Sequence, residues 1–93
     1  MAKRLIVSRN AYRDIDRIVE FNDVRNKSTT YSKKFVKSLS KEFKRLTKLP
    51  FMGIETEQEG MLLLVWDNYY IYYSITETVI EIRAIYHQRE DAR

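Results

Sequence analysis

Apolar and polar residues alternate over two stretches near the end of the sequence. Positions 69–74 (YYIYYS) and 80–87 (IEIRAIYH) place aromatic or aliphatic side chains at every second residue. A period of two is typical of paired β-strands, and the polar stretch 76–78 between them predicts a turn. In the second strand the pattern predicts that Arg83 and His87 share one face. Tyr86 is predicted to lie on the other, unless the strand has already ended.

The first half of the chain instead has apolar residues three and four positions apart, which is typical of amphipathic helices. After a short strand at 3–8, the spacing predicts a helix over about 11–21, capped by Ser8 or Asn10. Its buried stripe is predicted to be Ala11, Ile15, Ile18 and Val19. Its water-facing residues are predicted to be Arg13, Asp14, Asp16 and Arg17.

A polar loop is predicted at 22–27, followed by a longer helix that begins after Ser28 or Thr29 and ends before Pro50. Its buried stripe is predicted to be Tyr31, Phe35, Leu39, Phe43 and Leu46. The opposite face carries Lys33, Lys34, Lys37, Lys41, Lys44, Arg45 and Lys48. This face is interpreted as solvated or as the contact for an acidic partner.

The remaining segments complete an α+β domain. Gly53 and the acidic stretch 55–60 predict a loop, 61–66 predicts a strand, and Asp67-Asn68 predicts a two-residue hairpin turn. The order is therefore β-α-α-β-β-β in a single domain spanning 1–93. Both helices must bury their stripes on one face of a mainly antiparallel sheet, which gives two layers. The other face of the sheet is predicted to stay partly open and to hold a site.

Composition narrows the function classes. The chain has no cysteine and one histidine, so it lacks the ligands of a disulfide framework or a zinc site, and no cofactor is expected. The longest apolar run, 61–66, is far too short to cross a bilayer. No export signal is visible after the initial methionine. A cytoplasmic protein without a membrane partner is expected.

Charge is distributed unevenly along the chain. Residues 1–49 carry 14 Lys and Arg against 5 Asp and Glu, whereas residues 50–93 carry 3 against 8. The first half is thus +9 and the second −5, which sum to the net charge of +4. A basic half suits an anionic partner, which the charge alone leaves open between nucleic acid and an acidic protein.

Several short motifs, taken in order, resemble the RelE/ParE superfamily of toxins from bacterial type II toxin–antitoxin systems. They cover nearly the whole chain and comprise Ser8 with Ala11, Asp14-Ile15, Leu46 with Pro50-x-x-Gly53, the hairpin 68–73 (NYYIYY) and the ending 82–91 (IRAIYHQRED). The resemblance implies a cognate antitoxin and a hetero-oligomer with it. Antitoxin contacts are expected at Trp66, Tyr70 and Tyr72.

The superfamily contains two kinds of toxin, and fold alone does not choose between them. ParE-like members inhibit DNA gyrase by binding it, and the pattern from Asn68 to Arg89 is more similar to that branch. On this interpretation the target is bound by Tyr86, His87, Gln88 and Arg89. RelE-like members are ribosome-dependent endonucleases that cut mRNA. A degenerate toxin that only binds its antitoxin is a third possibility.

A nuclease would need His87 as a proton-transfer group, with Arg83 and Arg89 holding the scissile phosphate. Two departures count against it. RelE-like nucleases resemble one another in a Tyr-Arg step where this chain has Tyr69-Tyr70. They also carry basic residues where this chain has the acidic segment 57–59 (EQE). The sequence therefore favours a ParE-like toxin that is not an enzyme, with the ribosome and mRNA as the alternative target.

Overall fold

A computed structural model of the chain describes residues 3–89. The elements in chain order are β1 (Arg4–Val7), α1 (Arg9–Asn26), α2 (Thr30–Lys48), β2 (Ile54–Glu55), β3 (Met61–Trp66), β4 (Tyr69–Ile75) and β5 (Val79–His87). The predicted order is confirmed, with one short strand added, because Ile54–Glu55 pairs with β3 where the sequence predicted only loop.

The strands form one mixed sheet in the order β1-β5-β4-β3-β2. β1 runs parallel to β5, and every other neighbouring pair is antiparallel. The predicted turn between β3 and β4 is confirmed: Trp66 pairs with Tyr69, and Asp67 takes a positive φ of 53°. β5 therefore lies inside the sheet, between the first strand of the chain and its hairpin partner.

Helix α1 begins at Arg9, two residues before the predicted start, and ends later than predicted. The Ser8 hydroxyl accepts a hydrogen bond from the Ala11 amide at 3.1 Å, which caps the helix. The helix then continues to Asn26 through most of the predicted loop. Ser32 of α2 explains the extension, because its buried hydroxyl lies 2.5 Å from the Asp23 carboxylate and 3.2 Å from the Val19 carbonyl oxygen. A contact to the second helix thus stabilises turns whose own sequence is polar.

Both helices pack on one face of the sheet, as predicted. The core joins Ala11 and Ile18 of α1 to Phe35, Leu39 and Leu46 of α2. From the sheet it includes Leu62, Leu64, Tyr69, Ile71, Tyr73, Ile80, Ile82 and Ile85. One predicted core residue is wrong: Tyr31 is 45% exposed, because it lies at the edge of the helix pair.

The loop after α2 is attached to the core by one phenol. The Tyr73 hydroxyl donates to the Pro50 carbonyl oxygen at 2.9 Å and accepts from the Gly53 amide at 3.0 Å. A Cβ at Gly53 would lie 2.6 Å from that hydroxyl oxygen and 2.9 Å from the Leu63 carbonyl oxygen. Glycine is therefore required here by close approach. Burial raises the pKa of Tyr73, so the phenol stays protonated in its hydrogen-bonding role.

Candidate functional site

A β-bulge at Arg83 decides where the side chains of the candidate site point. Tyr72 pairs with Ala84 and Tyr73 pairs with Ile82, which leaves Arg83 as an extra residue in β5. Because side chains alternate along a strand, one extra residue reverses the face of every residue that follows. Ile80 and Ile82 face the helices before the bulge, and Ile85 and His87 face them after it.

Helix α1 supplies hydrogen bonds to β5 at the bulge, where β1 has ended. The Asn10 amide and the Ser8 hydroxyl donate to the Arg83 carbonyl oxygen at 3.1 and 3.3 Å. The Asp14 carboxylate accepts from the Ile85 amide at 2.9 Å. The prediction that Asp14 faces water is therefore wrong: the residue is 5% exposed, because its carboxylate replaces a strand partner for β5.

Arg17 extends this contact to the edge of the sheet. Its guanidinium lies 2.6 Å from the Asp14 carboxylate, donates to the Ile85 carbonyl oxygen at 3.3 Å, and stands 5.9 Å from the centre of the Tyr86 ring. Arg17 was predicted only to face water. The spacing of Asp14 and Arg17 by three residues was the available signal, since such residues are neighbours on a helix.

On the helix side, His87 borders a cavity of about 540 Å³. The imidazole meets the Tyr69 ring edge-on at 5.2 Å, and its Nδ1 accepts from the Arg89 amide at 3.1 Å. Arg17, Arg25 and Arg89 also line the cavity, and no carboxylate does among the described residues. Burial, together with a hydrogen bond to Tyr31, raises the pKa of Tyr69. The cavity is thus cationic and partly aromatic.

On the opposite, open face of the sheet, Arg83 lines a shallow groove of about 1130 Å³. Tyr72 and Tyr86 share this face, with their rings 6.1 Å apart in an edge-on arrangement. The Arg83 guanidinium lies 3.5 Å from the Glu81 carboxylate. Glu55 of β2 and Glu57 of the following loop line the same groove, and so does Arg9. Three carboxylates therefore share this groove with two guanidinium groups.

The bulge separates the residues that a nuclease site would need together. Arg83 lies on the open face, whereas His87 lies on the helix face with Arg89 beside it. The prediction that Arg83 and His87 share a face is wrong, because it assumed unbroken alternation through β5. Period-two patterning contains no signal for the extra residue. Two consecutive buried residues, Ala84 and Ile85, mark the bulge in β5.

The residues predicted to contact an antitoxin are also divided between the faces. Tyr70 and Tyr72 lie half-buried on the open face. Trp66 pairs with Tyr69 on the helix side, where its ring lies 5.8 Å from Tyr69 and 6.1 Å from Phe35. Trp66 thus extends the core, and only its outer part remains accessible.

The tip of the site follows β5 directly. The Gln88 amide donates to the Asn68 carbonyl oxygen at 2.9 Å, which holds the start of the following turn against the β3–β4 turn. The side chains of Gln88 and Arg89 are exposed. Within residues 3–89, no group of acidic or histidine side chains is arranged to hold a metal ion. In the same range, no helix has the length and apolar character needed to span a bilayer.

The chain matches the model of a known protein family. The family model described as the ParE toxin of the type II toxin–antitoxin system parDE matches residues 5–92. The chain belongs to the ParE toxin family. No curated protein sequence matches it.

Solved structures agree on the fold of this ParE-family chain. A chain of the chromosomal ParDE toxin–antitoxin system from P. aeruginosa superposes with a TM-score of 0.79 at 20% identity, covering 92% of this chain and 96% of that one. A chain of the RelBE2 toxin–antitoxin complex from Mycobacterium tuberculosis superposes with a TM-score of 0.70 at 16% identity, covering 94% and 99%. Both structures thus share this two-layer fold.

Proposed function

We propose that this ParE-family toxin inhibits growth by binding DNA gyrase through the end of β5, without acting as an enzyme. The observation that carries the proposal is the bulge, which places Arg83 and His87 on opposite faces of the sheet. A contact with another protein does not require the side chains of Arg83 and His87 to meet at one reacting atom. The exposed side chains of Gln88 and Arg89 follow β5, with the half-buried Tyr86 on one face of the sheet and His87 on the other, and together they offer a contact that spans the end of the strand.

The runner-up is mRNA cleavage on the ribosome. The observation in its favour is the cavity beside His87, where an imidazole lies among three guanidinium groups without a carboxylate lining. Such a set can attract a phosphate and transfer a proton. Against it, the His87 Nδ1 already accepts a hydrogen bond from the Arg89 amide.

One variant series separates the two functions. Under gyrase binding, His87→Ala should weaken inhibition of plasmid supercoiling only partly, and deletion of 88–93 should abolish it, because the contact is spread over the segment. Under cleavage, His87→Ala should reduce mRNA cutting by about 10²- to 10⁴-fold, the usual cost of losing a general acid or base. Supercoiling by purified gyrase and mRNA cutting in purified ribosome complexes are the two measurements.

Glu77→Ala is the matched control, since Glu77 is exposed in the turn at the other end of β5. It should leave both readouts unchanged. Cutting of mRNA that disappears in His87→Ala would replace the gyrase proposal with the runner-up. Unimpaired bacterial growth with soluble protein confirmed by blot would leave only the degenerate toxin.

We further propose that a cognate antitoxin, met in the cytoplasm, covers the open face of the sheet. Val65 is 52% exposed there and pairs with the half-buried Tyr70, with Tyr72 further along β4. An exposed aliphatic side chain beside aromatic ones suits burial against a protein partner. Val65→Glu should therefore abolish binding, because it would bury a charge without a partner.

Titration calorimetry with the antitoxin encoded by the neighbouring gene measures the loss of binding in Val65→Glu. Val24→Glu is the control, since Val24 is 72% exposed on α1, away from the sheet. Salt should change the association rate more than the affinity, because buried apolar area dominates the contact. Loss of the complex at moderate salt would show that charge dominates instead.

A further inference from the structure

Helix α2 carries its positive charge on one narrow arc. At 100° per residue, the seven cations between positions 33 and 48 all fall within about 120° of the helix circumference. They form what we name the cationic stripe: Lys33, Lys34, Lys37, Lys41, Lys44, Arg45 and Lys48. All seven side chains are exposed. At 1.5 Å per residue the stripe is about 22 Å long.

The stripe points directly away from the core. The buried residues of α2 are Ser32, Phe35, Leu39 and Leu46, and they are centred about 180° from the stripe. Neither the sheet nor α1 therefore covers the stripe. The stripe is a free surface on the side of the molecule opposite the open face of the sheet, where the antitoxin is proposed to bind.

The positive charge of the stripe is almost unneutralised. Glu42 is the single carboxylate of α2, and its 12%-exposed side chain lies 3.6 Å from Arg45. None of the six lysines forms an ion pair within residues 3–89. Six ammonium groups on one arc repel one another, and an anionic partner would relieve that repulsion.

The chemistry of the surface favours a nucleic-acid backbone over a protein. Protein interfaces have aromatic or aliphatic centres and are depleted in lysine, whereas no apolar side chain lies within the arc. Ser38 and Ser40 flank the arc, and Thr47 and the half-exposed Tyr31 lie about 40° outside it. Lysine, serine and threonine are side chains that contact phosphate oxygens and fix position without reading bases.

The same surface favours a duplex of DNA. The stripe has no aromatic side chain on which an unpaired base could stack, as single-strand binders have. The major groove of B-DNA is about 12 Å wide, so a helix lying over it can reach phosphates of both strands, whereas the major groove of A-form RNA is too narrow for a helix. We propose that the cationic stripe of α2 binds the phosphate backbone of double-stranded DNA, independently of base sequence. The proposal does not rest on which target the toxin inhibits.

Fluorescence anisotropy with a labelled mixed-sequence DNA duplex tests the proposal. The purified chain should bind in the micromolar range or weaker at physiological salt, with log K falling linearly as log salt rises. Each phosphate contact contributes about 0.9 to the slope. The variant Lys37→Gln/Lys41→Gln/Lys44→Gln should therefore flatten the slope by about 2 to 3 and weaken binding at least tenfold at low salt. Glutamine keeps helix propensity close to that of lysine, so circular dichroism should be unchanged.

The matched control is Arg9→Gln/Arg13→Gln/Lys27→Gln, which removes the same charge from exposed positions off the stripe. It should retain most of the slope. Equal losses in both variants would overturn the proposal by showing a response to net charge alone. Tighter binding to an RNA duplex, to single-stranded DNA or to a polyglutamate peptide than to the DNA duplex would also overturn it. Single Lys→Gln variants, each changing the slope by about 0.9 or less, provide the same test if the triple variant fails to fold.

Discussion

Asp14 is a buried carboxylate that joins helix α1 to strand β5. It accepts from the Ile85 amide at 2.9 Å and lies 2.6 Å from the Arg17 guanidinium. Asp14→Ala leaves that amide without a partner at a buried position. Removing one member of a buried hydrogen bond costs about 1–3 kcal/mol. We expect the free energy of unfolding, measured by urea denaturation, to fall by that amount.

Asp16→Ala is the control for this prediction, because Asp16 is exposed two residues away on the same helix. It should change the free energy of unfolding by less than about 0.5 kcal/mol, as surface substitutions usually do. Equal effects of the two substitutions would show that the contact to β5 contributes nothing beyond helix propensity.

At the scale of elements, Tyr73 and Gly53 connect the sheet to the loop that leaves α2. Gly53→Ala brings a methyl group to 2.6 Å from the Tyr73 hydroxyl oxygen. Such overpacking costs about 1–3 kcal/mol. Tyr73→Phe loses two hydrogen bonds but removes the clashing oxygen. We therefore expect the double variant to lose less stability than the sum of the single variants, measured as a double-mutant cycle by denaturation.

Strict additivity in that cycle would contradict the prediction, because it would mean that the methyl group is resisted by atoms that Tyr73→Phe leaves in place, the ring Cε1 of residue 73 and the Leu63 carbonyl oxygen, each 2.9 Å away. Gly60→Ala is a useful comparison, since nothing lies within 4 Å of a Cβ there and its strain comes from a φ of 81°. Its cost should not change when Tyr73→Phe is added.

At the scale of the whole molecule, two buried phenols should set an alkaline limit to stability. Burial raises the pKa of both Tyr69 and Tyr73 above the ordinary value near 10. The unfolded chain therefore releases these protons first as the pH rises. The contribution of each phenol to the free energy of unfolding is fully present below about pH 10. Above that pH it is lost, by up to about 1.4 kcal/mol per pH unit for each phenol.

Denaturation at several pH values from about 9 to 12, the range in which tyrosine titrates, measures the slope of the free energy of unfolding against pH. Tyr69→Phe and Tyr73→Phe should each flatten the slope. The slope is a better readout than the stability itself, because the lost hydroxyl also changes stability at neutral pH. An unchanged slope in both variants would mean that these phenols ionise equally well in the folded chain.

The sequence predicted those parts of the fold that depend on periodicity and local capping. The Ser8 cap, the turn at Asp67-Asn68 and the two helix stripes were predicted because each is encoded within a few residues. The end of α1, the burial of Asp14 and the bulge at Arg83 were not, because each depends on a contact with a residue distant in the chain. The candidate site at the end of β5 remains a prediction from the sequence, and its division between two faces was not predictable from alternation.

The parallel pairing of β1 with β5 has a consequence for synthesis of the chain. The Ser8 hydroxyl donates to the Arg83 carbonyl oxygen 75 residues later, so the first strand has no partner until β5 has been made. Chains are made at about 5–20 residues per second, so this wait lasts several seconds. A nascent chain that has not yet reached β5 therefore lacks both the closed sheet and the segment proposed to act on the target. We expect toxicity to begin only after β5 has left the ribosome, which gives an antitoxin already present time to bind each molecule as it folds.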